Sequence, residues 1–557
     1  MAENEIIPKE GVVTPTITSD GEAMNKSYEW LSIDIIKEIN HIPYAQIVLA
    51  DGSAPEQTFR ISNDTFFEPG KKIEIKLRYE DAPNEETSVF SGFVVKHSVE
   101  LGSNGTILIV EMKDSAIKMT KGRNYNVFIN KTDADIIGEL ARKFGFKLAS
   151  PIPVTKPAHK KLVQYSCTDW DFLLSRAEAN GLVVVVDDKN LLRVSNLEVK
   201  GNAKHSFTFG LTETTNFEMQ ADASHQFAKV QSVDWDTKTQ KLTTPSNAAA
   251  FSLKQGNLDG SKIAKSLGAE LQTLSGRALL TPDSLKAWAD GSMAKDRMSL
   301  LRGRVSVPGS GKIQCLDEIE FAGVGKRFNG TTLISGIHHR VDMNGWQTDI
   351  QFGISAEAFA AQKDVADLPA AGLLPPVSGL QIGVVTALQD PEKELRVSVQ
   401  LPSMGEKSQP LWARMGSVYA GKNYGYVFMP EIGDEVIVGF FNDDPSQPVI
   451  LGSMYSGKNT PPTLSPETDD KNFSKAIITK SGIAINLLDG DKPKITIATP
   501  GKNTIVIDDD QQSILLKDQH GNTITMNKDG VEIKSAKDFK INASGNVEIK
   551  GAKVDVK

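Results

Sequence analysis

Apolar and polar residues alternate along most of this chain, and nowhere more regularly than between Ala476 and Lys557. Val531/Ile533, Phe539/Ile541 and Val547/Ile549 are apolar pairs that recur every eight residues. Val554/Val556 follows at seven, and Ile505/Ile507, Ile514/Leu516 and Ile524/Met526 precede them at looser spacing. The members of a pair stand two apart, so both point to one face of a strand. Gly530, Asp538, Asn546 and Gly551 between them are turn residues. A repeat this short leaves no room for a crossover helix and predicts a winding β-structure whose strands stack along an axis. A narrow stack has little interior of its own and gains most by sharing its apolar face with copies of itself. Residues 473–557 are therefore expected to be a rigid rod built by several chains.

The rest of the pattern is also mainly β. Residues 1–24, with Pro8, Pro15 and scattered Gly and Thr, read as a flexible leader. From 25 to 127, alternating runs at Ile33/Ile35, Ile47–Leu49, Ile73–Tyr79, Val89–Val95 and Ile107–Glu111, with turns at Asp51-Gly52 and Asn104-Gly105, predict a barrel or strongly curved sheet. Residues 128–200 form an α/β insertion. Thr132 or Asp133 caps a first helix whose face is Ile136, Ile137, Leu140, Ala141 and Phe144. Thr168 and Asp171 open a second, Thr168–Asn180, and a hairpin follows over Leu182–Val186 and Leu191–Val194.

Residues 201–365 read as a second barrel with helices at about 262–280 and 284–300. Residues 366–378 are a Pro-containing linker. Residues 379–457 place five or six strands, among them Tyr426–Met429, in a compact unit that suits a small closed barrel such as an OB-fold. A polar linker, 458–472, joins it to the rod.

Composition narrows the function classes. The 557 residues, at roughly 100–200 per domain, predict about three to five domains. A net charge of −8 leaves no basic surplus for phosphates, which argues against nucleic acid as the main partner. The N-terminus has neither a basic nor an apolar stretch of a secretory signal, and no apolar run reaches membrane-spanning length. The expectation is synthesis in the cytoplasm and export, if any, by a dedicated machine. Cys167 and Cys315 stand far apart and outside any paired motif, which disfavours a disulfide scaffold or a cysteine zinc site.

Candidate chemistry is sparse. Gly416–Asn423 and Gly452–Asn459 have the glycine and lysine spacing of a phosphate loop, but Asn423 and Asn459 replace the magnesium-binding hydroxyl and neither segment opens a helix. They read as turns of the small barrel. His338-His339 lies on a strand, so the two rings face opposite ways and cannot share a metal. His520 reads as a turn residue. No block of the order of 100 residues is left over for a catalytic domain. No catalytic, cofactor-binding or metal-binding residue is assigned, and the chain is read as a non-enzyme.

Seven blocks in order then carry a resemblance. Gly383-Val-Val-Thr, Asp390-Pro-Glu-Lys, Arg396-Val-Ser-Val-Gln-Leu-Pro, Leu411-Trp-Ala-Arg, Ala420-Gly-Lys-Asn-Tyr-Gly, Met429-Pro-Glu-Ile-Gly-Asp-Glu-Val-Ile-Val-Gly-Phe and Asp444-Pro-Ser-Gln-Pro-Val-Ile-Leu-Gly-Ser-Met-Tyr resemble the OB-fold of the VgrG family. These are spikes of type VI secretion systems and related contractile injection machines, including phage tails. The segment from Thr168 to Leu182 is similar to a helix of that family's hub. The resemblance implies a homotrimer with a hub of β-barrels on the inner tube and baseplate, an OB-fold collar and a three-chain β-helix needle. It also implies a PAAR-repeat tip protein and effectors at the needle end, and expulsion toward a target envelope. Two other readings compete: a spike carrying an envelope-degrading or toxic activity, and a glycan-binding adhesin built on the OB-fold.

Overall fold

The computed structural model describes residues 11–103, 105–276, 280–405, 407–464, 466–467 and 469–557. The chain divides into two units, one ending at Asp367 and one running from Leu368 to Lys557. No helix among the described residues is long and apolar enough to cross a membrane.

The first unit is organised by one fourteen-stranded sheet. Strands Trp30–Glu38, Tyr44–Ala50, Gly105–Asp114, Thr87–Gly102, Lys72–Tyr79 and Val13–Ser19 follow one another across it, all antiparallel. Their inward residues, such as Ile33, Ile35, Ile47, Leu49, Ile73 and Ile75, are buried in a first core. On the far side of Trp30–Glu38 lie Gly330–Asp342, Gly345–Phe352, Leu301–Pro308 and Asn216–Ala221, around a second core of Phe207, Phe321, Ile334, Ile350 and Phe352.

Barrels were expected at 25–127 and 201–365; most strands of both segments are joined through one hydrogen-bonded sheet, around two cores. Its join is the thirteen-residue strand Gly330–Asp342. Gly330–Leu333 pair with Glu318–Phe321, while Gly336–Val341 pair with Ile33–Glu38. A strand that long outruns one sheet segment and reaches the next, and local pattern carries no sign of a partner so distant in sequence.

Two further expectations fail. The leader expected over 1–24 falls in part on residues 1–10, outside the described residues. Its remainder holds the strand Val13–Ser19, paired across seven positions with Ile73–Tyr79. Pro15 and the threonines mask an alternation in which Val13, Ile17 and Ser19 are buried. The helix expected at 262–280 stops after Gly260–Ser266, because Gly268 takes a left-handed conformation. Leu271–Ser275 is then a strand parallel to Lys229–Val233. The Asn104-Gly105 turn involves a residue outside the described set.

The insertion is held by a buried ionic contact. Thr132 caps helix Asp133–Lys143 in a capping box with Asp135, and Thr168 caps Asp169–Glu178. Arg176 of the second helix donates to both carboxylate oxygens of Asp133 at 2.7 and 2.9 Å, and Asn180 adds a bond of 2.8 Å. Burial pushes the Asp133 carboxyl up, but Arg176, with Asn180 and His159, outweighs it and holds the group below the usual carboxylate range. Nearby, Gly181 and Gly291 bring two backbones together. A Cβ on Gly291 would sit 2.6 Å from the Gly181 Cα, so helix Pro282–Ser299 docks where only glycine fits.

Two outcomes follow for this unit. Gly291→Ala forces those backbones apart and should destabilise it by about 1–3 kcal/mol, read as a lower thermal midpoint, while Ala287→Ser one turn away should change little. Asp133→Ala strands Arg176 without its partner and should lose about 3 kcal/mol. A depressed carboxylate pKa contributes stability that is present above the unfolded value, near pH 4, and is lost as pH falls through the folded one. Acid loosening of the helix pair, followed by hydrogen exchange, should therefore begin below about pH 4 in wild type and be blunted in the alanine variant.

Candidate assembly interface

The second unit begins with a closed five-stranded barrel, Gln381–Ala387, Val397–Gln400, Leu411–Met415, Pro448–Met454 and Glu435–Phe440. Its interior is Val385, Val397, Val399, Ala413, Val436, Val438 and Ile450. Tyr426–Met429, expected as a barrel strand, is not one. The chain there makes a hairpin, Ala420–Gly421 with Tyr424–Gly425, that displays Tyr419, Tyr424, Tyr426 and Phe428, all more than half exposed. Asn423 sits at its tip with positive φ. Of the two phosphate-loop look-alikes, one is thus this hairpin, and the other starts inside the strand Pro448–Met454.

Next comes a seven-stranded antiparallel meander in which each strand pairs with the one after it. Its members are Ser474–Ile478, Ala484–Leu488, Lys494–Ala498, Thr504–Asp508, Ser513–Lys517, Thr523–Asn527 and Gly530–Lys534. The register aligns the apolar residues in two rows. One row runs Ile477, Ile485, Ile497, Ile505, Leu516, Ile524 and Ile533. The other runs Leu487, Ile495, Ile507, Ile514, Met526 and Val531. Residues two apart share a face, so both rows lie on one side of the sheet. The opposite side presents Asn486, Thr496, Val506, Leu515, Thr525 and Glu532 in register.

Nothing among the described residues covers the apolar side fully. Ile497, Ile505, Ile507, Ile514 and Leu516 are each about 40% exposed, and Val531 is 68% exposed. A groove of about 550 Å³ runs over Ile497, Ile505, Leu516, Ile524 and Ile533 and is bounded by Phe539. Thirteen large aliphatic residues on one face leave on the order of 1,000 Å² of apolar surface, more than a monomer ordinarily shows. Covering it is worth roughly 25 kcal/mol of gross transfer energy per chain at ~25 cal/mol/Å².

The sheet margins are polar and fixed. Lys494 pairs with Asp508 at 2.9 Å and Lys492 with Asp510 at 2.7 Å. The Gln511 amide and Lys494 hold the Asp508 carboxyl below its ordinary value. Asp518 closes the next turn on the Asn522 amide and side chain.

The ladder expected to continue to Lys557 does so only as far as Lys534. Residues 535–557 form no strand, and Phe539, Ile541, Val547, Ile549, Val554 and Val556 are all more than half exposed. A strand needs a neighbour for its backbone groups, and one copy of this segment has none. Sequence reading also passed over the first members of the face, Ile485/Leu487 and Ile495/Ile497. Their signal was the same two-residue spacing.

The residues weighed for chemistry remain apart. His338 lies 2.9 Å from Asp34 on one side of the first unit's sheet, and His339 is buried on the other beside Thr348 and Trp346. Burial pushes the His339 imidazole down to about 3. His520 stands in the Asp518–Asn522 turn. Cys315 is buried, which pushes its thiol up to about 12, and Cys167 is half-buried. Among the described residues no three His, Cys, Asp or Glu side chains are grouped to hold a metal ion.

Residues 9–343 match the Alg8 N-terminal domain, residues 381–455 the type VI secretion system/phage-baseplate injector OB domain, and residues 494–557 the phage baseplate V C-terminal trimerisation domain. The chain is similar to actin cross-linking toxin VgrG1 of Vibrio cholerae, with 30% identity over 33% of this chain and 17% of that protein. It is also similar to type VI secretion system spike protein VgrG3 of Vibrio cholerae, with 32% identity over 26% of this chain and 15% of that protein. The matched part is thus about a sixth of those relatives' length. Among solved structures, the 43 kDa tail protein of prophage MuSo2 from Shewanella oneidensis has 13% identity and a TM-score of 0.45, covering 62% of this chain and 98% of that one.

The uncovered face sets a direct expectation. Ile505→Asp with Leu516→Asp should abolish protease resistance of the C-terminal sheet, because each charge taken from water without a partner costs several kcal/mol. Thr496→Asp with Thr525→Asp, on the opposite side, should leave it intact. Equal digestion of the two variants would mean that the apolar side stays in water.

Proposed function

The chain belongs to the phage baseplate V/VgrG family of spike proteins, with an Alg8-type N-terminal unit, and from that premise we propose that it is the homotrimeric spike of a contractile injection system. The observation that carries this is the two-row aliphatic face, uncovered within one chain and lying largely inside the match to the trimerisation domain. Three copies turned inward convert it into one shared interior, the least that a single-layered sheet needs to become a rod.

In this reading the strand-like pairs at Phe539/Ile541, Val547/Ile549 and Val554/Val556 gain backbone partners from neighbouring chains and extend the rod as a three-chain β-helix. The small barrel is an OB-fold collar, and the first unit is the hub on the inner tube and baseplate. Its work is mechanical: force passes through a stiff shared β-core to a narrow tip, and the chain itself catalyses nothing. The tip is read as carrying a PAAR-repeat partner and effectors toward a target envelope, as the family resemblance implies.

Light scattering on the full-length chain should give three times 60.5 kDa, and a folded monomer would overturn the proposal. Truncation after Gly545 should keep that mass, because the seven-stranded sheet remains, and should abolish capture of the tip partner. Capture by the truncated spike would move the cargo site to the barrel or hub.

A further inference from the structure

The first unit contains a cavity of about 600 Å³ that the spike reading leaves unused. It lies between strand Lys229–Val233, the extended residues 247–253, the start of helix Gly260–Ser266 and helix Pro282–Ser299. Val230, Phe251, Leu253, Leu258 and Met293 form an apolar wall along one side, while the rest of the lining, from Asn247 to Arg297, is mainly polar. Arg297 enters this apolar wall from the long helix and is only 5% exposed.

A guanidinium so deeply placed ordinarily has a carboxylate beside it. Here its three acceptors are neutral: Gln226 Oε1 at 2.9 Å, the Phe227 carbonyl at 2.6 Å and Ser261 Oγ at 2.9 Å. These use one donor on Nη1 and two on Nη2, so Nε–H and the second Nη1–H are unspent among the described residues.

The acids nearby do not supply the missing charge. Asp259, also on the cavity wall, is turned to the amides of Ser261 and Lys262 at 2.9 and 3.1 Å, with the Lys262 ammonium 3.7 Å away. Asp296 is buried with one carboxylate oxygen lacking any hydrogen bond; burial pushes its carboxyl up against the pull of Arg297 and Lys295, and it makes no ion pair with the guanidinium among the described residues. With Lys229 on the wall, the lining carries one more positive than negative group.

We propose that this cavity binds an amphiphilic organic carboxylate, its head on Arg297 and its apolar body along Val230, Phe251 and Met293. A planar guanidinium with free donors matches a carboxylate better than a point cation would. The volume lies within the ordinary range for a small organic ligand. The site sits wholly in the first unit and does not depend on the trimer.

The test is calorimetric titration of the full-length protein with decanoate below its micelle concentration, with decanol and inorganic phosphate as separate arms. Decanoate should saturate one site per chain and bind at least tenfold more tightly than either control. Arg297→Met should weaken it at least tenfold. Because that variant also removes the bonds to Gln226 and Ser261, Ala249→Trp serves as a second: it fills the mouth from an exposed position and leaves Arg297 intact. It too should remove binding, with an unchanged thermal midpoint. No saturable decanoate binding by the wild type, decanol binding as tightly as decanoate, or binding that survives Ala249→Trp would each overturn the proposal.

Discussion

Two rows of aliphatic side chains, stacked strand over strand from Ile485 to Ile533 and from Leu487 to Val531, are the contact on which the rest of the account depends. The backbone of the meander is paired along its length, and its other side carries Asn486, Thr496, Thr525 and Glu532, which water can satisfy, with Val506 and Leu515 between them. The aliphatic face alone is left unspent. Five-residue strands span only about 17 Å, and a single twisted layer of that width cannot fold back to cover itself. It needs a second layer, and the described residues provide none against it.

The first unit shows how the same constraint is met within one chain. Its sheet has a core of Ile33, Ile47, Leu77 and Phe90 on one side of the join and a core of Phe207, Phe321 and Phe352 on the other. The insertion packs its helices on a third, around Ile137, Leu173 and Val184. Two polar groups taken inside are answered there: Asp133 by Arg176 and Asn180, and His339 by Thr348. The contrast supports the proposed placing of assembly in the second unit, where apolar surface is displayed on the meander and again on the aromatic hairpin of the barrel.

Much of this was legible before any coordinates. Alternation at a spacing of two marked the ladder, a cap at Thr132 or Asp133 and the pair Thr168/Asp171 marked the two helices of the insertion, and seven ordered blocks marked the barrel. What escaped has a common cause. Val13–Ser19 and Leu271–Ser275 are strands because of partners far along the chain, which override weak local preference. The Gly330–Asp342 join is invisible for the same reason, since nothing within that segment says it will meet Trp30–Glu38. Tyr424 to Phe428 alternates like a strand yet lies outside the barrel, because Asn423 turns the chain into a hairpin first. Residues 535–557 show the reverse: a strong strand pattern that a lone chain cannot satisfy.

The central claim is that the Ile505 side of the meander is covered by other copies of the chain. Single cysteines placed at Ile505 and at Thr496, on opposite faces of adjacent strands, can be compared for their rate of maleimide labelling in the native full-length protein. The account predicts that Ile505→Cys is protected by at least a hundredfold relative to Thr496→Cys, and that the protection vanishes on denaturation. Equal labelling of the two in the folded protein would contradict it.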